Sequence, residues 1–234
     1  YPSSVRPIHG IFVETRLREL LKTGEVDAKV VAPVPWFPLK GSRWGEYAQF
    51  AATPRFEHRN GLDVHHPRYL LLPKVGMNMA PHAMALGALP TLKRLQREGF
   101  DFDLIDAHYY SPDGVAAGLL AKWLGKPFVV TARGTDLNLI PQYPWPRKLI
   151  LQTANAASAS IGVCQALMDT LADMGADVIK IEAPGGDRFR QMGKAAQTSG
   201  MGACHMTINR GKTSVVLDLK SIDDRNSLIN LIKS

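Results

Sequence analysis

The sequence predicts an α/β fold built on a doubly wound parallel sheet. Short apolar runs of strand type alternate with stretches of helical periodicity along much of the chain. Within Phe102–Asn138, the runs Leu104–Ala107 and Phe128–Thr131 flank a helix expected over Asp113–Leu124, with Val115, Leu119 and Leu120 on one face. Two strands joined by one helix should be parallel, with a right-handed crossover. Both strand ends are polar: His108, Tyr109, Tyr110, Ser111 and Asp113 follow the first, and Arg133, Gly134, Thr135 and Asp136 follow the second. Parallel sheets bind ligands in the crevice at those carboxyl ends, so the functional site is expected there.

The other elements follow in chain order. Tyr1–Gly10 is loop-like. Phe12, Val13, Leu17, Leu20 and Leu21 recur at helical spacing up to Gly24. Gly10 stands at that helix start, where free backbone N–H groups can hold a phosphate; a plain turn glycine is the alternative. Val26–Ala32 is a strand. Residues 36–60 mix aromatics, Gly and Arg without a period and are expected to be a surface segment with little regular structure. Leu62–His66 and Arg68–Leu72 are extended. His65 and His66 point to opposite strand faces, so they cannot share a metal, and they are expected to be surface histidines. Pro81–Gln96 is helical, and the methionines Met77, Met79 and Met84 are expected to serve packing, with a lipid-facing groove as the alternative. Beyond the central unit come a helix at Pro146–Ala154, a strand at Ala159–Val163 and a helix at Gln165–Met174 with Leu167, Leu171 and Met174 inward.

Composition sets limits. At 234 residues and 45% hydrophobic content, one large or two small domains are possible. No apolar run approaches the roughly 20 residues of a membrane helix. No signal peptide opens the chain, and its start at Tyr1 within a loop suggests that the true N-terminus lies further upstream. Cys164 and Cys204 lie far apart without metal-ligand spacing, so a reduced, cytoplasmic setting without a metal site is expected. The net charge of +7 is not gathered into a basic block. It suits anionic ligands or the inner face of an anionic membrane, and no nucleic-acid partner is expected.

Four segments together resemble the N-terminal half of a family-4 glycosyltransferase: Tyr1-Pro2 through His9-Gly-Ile-Phe-Val, Val30-Val-Ala-Pro-Val-Pro, Asp103–Gly114 and Thr131-Ala-Arg-Gly-Thr-Asp-Leu-Asn. The resemblance covers about residues 1–170. It implies a GT-B, Rossmann-like acceptor-side domain, a nucleotide-sugar donor as co-substrate, no tightly bound cofactor, and transfer with retention to a glycan or lipid-linked glycan. It places Gly10 near the donor phosphate or sugar and His108 with Tyr109 and Asp113 on the acceptor side. Arg133-Gly134-Thr135-Asp136 stands where many members have His-Gly-x-Asp. Arg133 stays protonated, so it would stabilise charge or orient the acceptor rather than act as a neutral imidazole. Asp136 would orient it through a charge-assisted hydrogen bond, or else form a local turn or cap. The family's first strand and whole donor domain are expected to be missing, leaving an incomplete half.

Residues 171–234 resemble something else. Val178-Ile-Lys-Ile-Glu-Ala-Pro-Gly-Gly-Asp-Arg-Phe-Arg and Thr207-Ile-Asn-Arg-Gly-Lys-Thr-Ser-Val-Val-Leu-Asp-Leu-Lys are similar to the N-terminal part of a family III CoA-transferase. That resemblance implies a Rossmann-like fragment in which Asn209, Arg210, Gly211 and Lys212 lie near the CoA nucleotide. The family's catalytic aspartate lies beyond this stretch, and neither Asp187 nor Asp218 matches it. By pattern alone, Val178–Glu182 and Ser214–Leu219 are strands, Pro184–Asp187 a turn, 191–206 a flexible connection, and Ile222–Ile232 a closing helix. Gly185-Gly186 beside Arg188 and Arg190 fits no phosphate-loop spacing, which favours the turn. The chain therefore reads as an acceptor-side domain, 1–170, joined to a short α/β extension, 171–234, with a seam inside a helix near Val163–Val178. Three function readings remain: half of a glycosyltransferase, a CoA-binding fragment, or a non-catalytic glycan- or lipid-binding module.

Overall fold

Residues Tyr1–Asp103 and Leu104–Ser234 form two units in the computed structural model. It describes every residue except 39–40, 42, 44, 72–77, 163–164, 177, 188–189, 191–200, 203–204, 207–208, 210–211 and 234. Met77, Cys164, Arg188, Cys204, Arg210, Gly211 and most of 191–206 therefore lie outside the described residues.

In the first unit, Gly10 leads into helix α1, Ile11–Leu21. The apolar stripe does not mark its buried side: Phe12 is 55% exposed and Glu14 is buried. Arg59 Nε donates to Glu14 Oε1 at 2.8 Å and Asn60 Nδ2 at 3.0 Å, and a buried carboxylate persists when it is paired in this way. Strand β1 is only Val30–Val31, because the exposed, charged run before it finds no ladder partner among the described residues. Strand β2 is Val34–Pro35.

Residues 36–60 are more regular than their composition suggests. Helix α2, Glu46–Ala52, carries Tyr47, whose ring lies 5.1 Å from Phe37 and edge-on to Phe50 at 6.0 Å. Strand β3, Phe56–Arg59, forms an antiparallel hairpin with β4, Leu62–His65. The turn is Asn60-Gly61, with φ of 50° and 81°, a dipeptide suited to that geometry. Strand β5, Arg68–Tyr69, runs parallel to β2, and β4 also pairs in parallel with β1. His66 is not a surface histidine. It is 1% exposed, with Nδ1 at 3.0 Å from the Ala32 carbonyl and Nε2 at 3.2 Å from Glu57. Helix α3, Ala80–Arg97, buries Met84, Ala85, Ala88, Leu92 and Leu95 along one face, while Met79 is exposed.

The second unit holds the sheet that carries the candidate site. Strands β6, Ile105–His108, and β7, Phe128–Ala132, are parallel and joined through helix α4, Val115–Leu124. The helix starts two residues later than expected because Tyr110–Gly114 forms a wide π-type turn. A Cβ on Gly114 would fall 2.8 Å from Val130 Cγ2, so a glycine lets this turn close onto β7. All five residues of β7 are buried, as suits a central strand. Short helix α5, Thr135–Asn138, and helix α6, Pro144–Ala156, lead to β8, Ala159–Gly162, which pairs in parallel with the far edge of β7.

Helix α7, Gln165–Asp173, follows. Its Leu167 and Leu171, with Met174 and Val178, join Ala107, Tyr110, Val130 and Ile150 in one hydrophobic cluster, which therefore crosses the expected seam. Strand β9, Val178–Glu182, pairs in parallel with β10, Lys212–Val216, and helix α8 is Ile222–Lys233. Strand β10 starts at Lys212 rather than Ser214, because Lys212 is opposite Val178 in the ladder. Among the described residues the strands form four small sheets, and every ladder but β3–β4 is parallel. The fold is a mixed α/β structure with Rossmann-like parallel pairing.

Candidate functional site

Because β6 and β7 are parallel, the loops that leave their carboxyl ends emerge on one edge of the sheet. The first loop is sharply bent. Tyr109 has φ 88° and ψ 122°, a conformation that a residue with a side chain keeps only when its surroundings enforce it. Its N–H donates to the Thr131 carbonyl at 2.8 Å, and its own carbonyl accepts from Gly114 N–H at 2.8 Å. Tyr110 is fully buried, and its hydroxyl donates to Ser160 Oγ at 2.5 Å. Burial pushes that phenol up to about 12, so it remains a donor at neutral pH.

The second loop is locked by Asp136, whose side chain is fully buried. Oδ1 accepts from Arg133 N–H at 3.0 Å and Gly134 N–H at 2.7 Å. Oδ2 accepts from Tyr110 N–H at 2.8 Å and Arg133 N–H at 3.2 Å. One carboxylate thus ties the two loops together through their main chains. Gly134 has φ 143° and ψ −85°, which a side chain would oppose.

The Arg133 guanidinium turns toward the other loop. Its Nη2 donates to His108 Nδ1 at 2.8 Å. An arginine only donates, so Nδ1 accepts and the ring proton sits on Nε2. That nitrogen lies 3.6 Å from Asp106 Oδ2. Asp106 was not singled out from the sequence, although its place two residues before His108 puts both on one strand face. Asp113 is half-buried in the π-type turn, and burial, with Asp136 adding to it, raises its carboxyl to about 6. Thr135 is exposed at the start of α5. The edge therefore presents a cation and an oriented imidazole, beside a turn whose Asp113 carboxyl burial raises to about 6. These groups suit hydroxyls or an anionic sugar substituent.

Of the residues singled out from the sequence, His108, Tyr109, Asp113, Arg133, Gly134, Thr135 and Asp136 lie on these two loops. Gly10 belongs to the first unit, where it caps α1 with φ 68°. Asn209 donates through Nδ2 to the His205 carbonyl at 2.9 Å, and Lys212 forms an ion pair with Asp169 of α7. The turn expected after β9 is present, with Gly186 N–H donating to Ala183 O at 2.7 Å. Arg190 folds back on Glu182, giving Nε–Oε2 at 2.7 Å and Nη2–Oε1 at 2.9 Å. Ser214 Oγ and Asp187 N–H also donate to that carboxylate, at 2.7 and 2.9 Å. The Arg190 contact above all holds Glu182 down at about 2. Among the described residues, no group of three His, Cys, Asp or Glu side chains is placed to hold a metal, and no helix is long and apolar enough to cross a membrane.

Two families match this chain. The Glycosyltransferase Family 4 profile matches residues 46–183. The CoA-transferase family III profile matches residues 157–234. The two matches overlap over 157–183, which contains the seam expected near Val163–Val178. The chain is 34% identical over 145 residues to TuaC of Bacillus subtilis (strain 168), named as a teichuronic acid biosynthesis glycosyltransferase; the match covers 61% of this chain and 36% of TuaC. Over 66 residues it is 41% identical to a succinyl-CoA:mesaconate CoA-transferase of Haloarcula hispanica, and 39% identical to that of Haloarcula marismortui. Each of those matches covers 27% of this chain and 17% of the relative. The chain thus spans little more than a third of the glycosyltransferase relative and a smaller part of the CoA-transferases. These matches are consistent with a fused chain.

Proposed function

Because the chain belongs to Glycosyltransferase Family 4, we propose that it supplies the acceptor side of an enzyme that moves a hexosyl group, with retention, from a nucleotide-sugar donor. The acceptor is a glycan or lipid-linked glycan of acidic character, and the protein works in the cytoplasm at the inner membrane face. The observation that carries this proposal is the Arg133–His108 hydrogen bond on the edge where β6 and β7 end. A guanidinium that stays protonated complements a uronic carboxylate, and the name of TuaC points to an acidic polysaccharide. We assign His108 and Arg133 to the acceptor and its developing charge. Tyr109, Asp113, Gly134 and Thr135 shape the crevice, and Asp136 fixes its two loops.

Holding both reactants in place supplies much of the rate in transfer reactions, and TuaC is far longer than the matched region. We therefore expect little or no turnover from these 234 residues alone. The test is calorimetric titration with oligosaccharides prepared from teichuronic acid, alongside an assay for hydrolysis of UDP-glucose. Oligosaccharide binding without hydrolysis supports the proposal. Absence of binding, or robust sugar transfer by the isolated chain, overturns it.

The match over 157–234 favours a second reading, a CoA-binding fragment. Retention on immobilised CoA that is lost on changing Arg210 and Lys212 would select it.

A further inference from the structure

We propose that the segment Leu139–Lys148 is a docking surface for an anionic lipid bilayer. It leaves α5 through a tight 3-10 turn, Ile140–Gln142, and enters α6 at Pro144. Pro141 is buried and Ile140 packs against the core of the unit. The larger side chains around them point out. Leu139 is 50% exposed, Tyr143 63% and Trp145 50%. Three large apolar side chains kept outward within one short segment mark an interaction surface more than a scatter of exposed residues does.

The segment is held in this form. Tyr143 N–H donates to Ile140 O at 3.1 Å, and Arg147 N–H to Tyr143 O at 3.0 Å. Pro144 and Pro146 restrict the backbone at the start of α6. Two residues anchor inward while their neighbours are presented outward.

Charge selects the partner. Arg147 and Lys148 follow directly and are both exposed. Between Asp136 and Asp169 the sequence has no Asp or Glu, so no carboxylate within the segment or along α6 offsets them. A Trp and a Tyr beside an aliphatic residue suit the headgroup level of a bilayer, where a ring is buried while its N–H or O–H stays wet. Adjacent cations add attraction to anionic lipid headgroups. The surface begins where α5 ends, on the loop that carries Arg133 and Asp136. It deepens the acceptor-side proposal by giving a lipid-linked acceptor a plane from which to reach the crevice.

The experiment is co-sedimentation of the 234-residue chain with phosphatidylcholine vesicles, with and without phosphatidylglycerol. Binding should require phosphatidylglycerol, and brominated lipid should quench tryptophan fluorescence. Replacing Arg147 and Lys148 by Gln should weaken binding by roughly tenfold or more, given about 1 kcal/mol per cation. Trp145→Phe should abolish most of the quenching while leaving the fold intact. No binding to phosphatidylglycerol vesicles, or binding and quenching unchanged in these variants, overturns the proposal. The vesicles carry no glycan, so this failure leaves oligosaccharide binding untouched. Failure of oligosaccharide binding would likewise leave vesicle binding untouched.

Discussion

Arg133 donates through Nη2 to Nδ1 of His108 at 2.8 Å, and this contact links the loops that leave two neighbouring parallel strands. It fixes the imidazole as the tautomer with its proton on Nε2. Arg133→Met removes both the charge and the donor. Affinity for teichuronic acid oligosaccharide should fall roughly tenfold to a hundredfold, the range expected for a hydrogen bond to a charged group. Arg133→Lys should recover only part of the loss, because an ammonium cannot reproduce the planar fork. Calorimetric titration of the two variants checks both expectations.

Asp136 acts through the main chain. Its carboxylate accepts from the N–H groups of Tyr110, Arg133 and Gly134 while fully buried. Asp136→Asn keeps the shape but removes the charge and turns one acceptor into a donor facing N–H groups. Urea denaturation should show a loss of about 2–3 kcal/mol, since a buried partner is left unmatched. Gly134→Ala, at φ 143°, should destabilise by about 1 kcal/mol or more. If neither variant is less stable than the parent, the loops are not held in the way described.

Much of the second unit could be read from the sequence. Strand β7 is a short apolar run, β6, β8 and β9 are short stretches with apolar residues interleaved with polar ones, and helix α7 has an apolar face that buries Leu167 and Leu171. Helix α2 and strand β3 could not be read from periodicity, because aromatic and charged residues alternate there without a helical or strand period. The Asn60-Gly61 dipeptide was the available sign of the hairpin. The burial of Glu14 was hidden because its partners lie at Arg59 and Asn60, far along the chain. The role of Asp136 was half visible: bonds to Arg133 and Gly134 fit a local turn, whereas the bond to Tyr110 exists only once β6 and β7 are paired. The seam left no periodic trace, because α7 satisfies the same core with residues from the overlap of both family matches.

Asp113 should make stability depend on pH. Its carboxyl is raised from 3.8 to about 6, so the folded chain holds that proton more tightly than the unfolded chain. The stability tied to the protonated form is complete below about 3.8 and is lost as pH rises through about 6. Asp113→Asn removes this loss. Melting temperatures measured across that window should fall less steeply in the variant, and the variant should be more stable than the parent at neutral pH. Parallel curves for the two proteins would contradict the assignment.

Glu182 has the opposite sign. Its carboxyl is lowered from 4.5 to about 2, so its contribution is present above about 4.5 and is lost as pH falls toward about 2. Glu182→Gln leaves Arg190 facing a neutral amide inside the β9–β10 pair. A loss of about 3 kcal/mol is expected at neutral pH, the scale for breaking a buried ion pair. Hydrogen exchange should quicken in Val178–Glu182 and Lys212–Val216 but not in Ile105–His108. Equal exchange in parent and variant would show that this network does not hold the last two strands together.

On the proposed function, the β6–β7 edge receives an acidic acceptor glycan. The most direct test is titration of isotope-labelled chain with teichuronic acid oligosaccharide, followed by amide shifts residue by residue. Saturable shifts concentrated at His108–Asp113 and Arg133–Asp136, and lost in Arg133→Met, are the predicted result. Shifts that gather elsewhere, or persist unchanged in that variant, would contradict it.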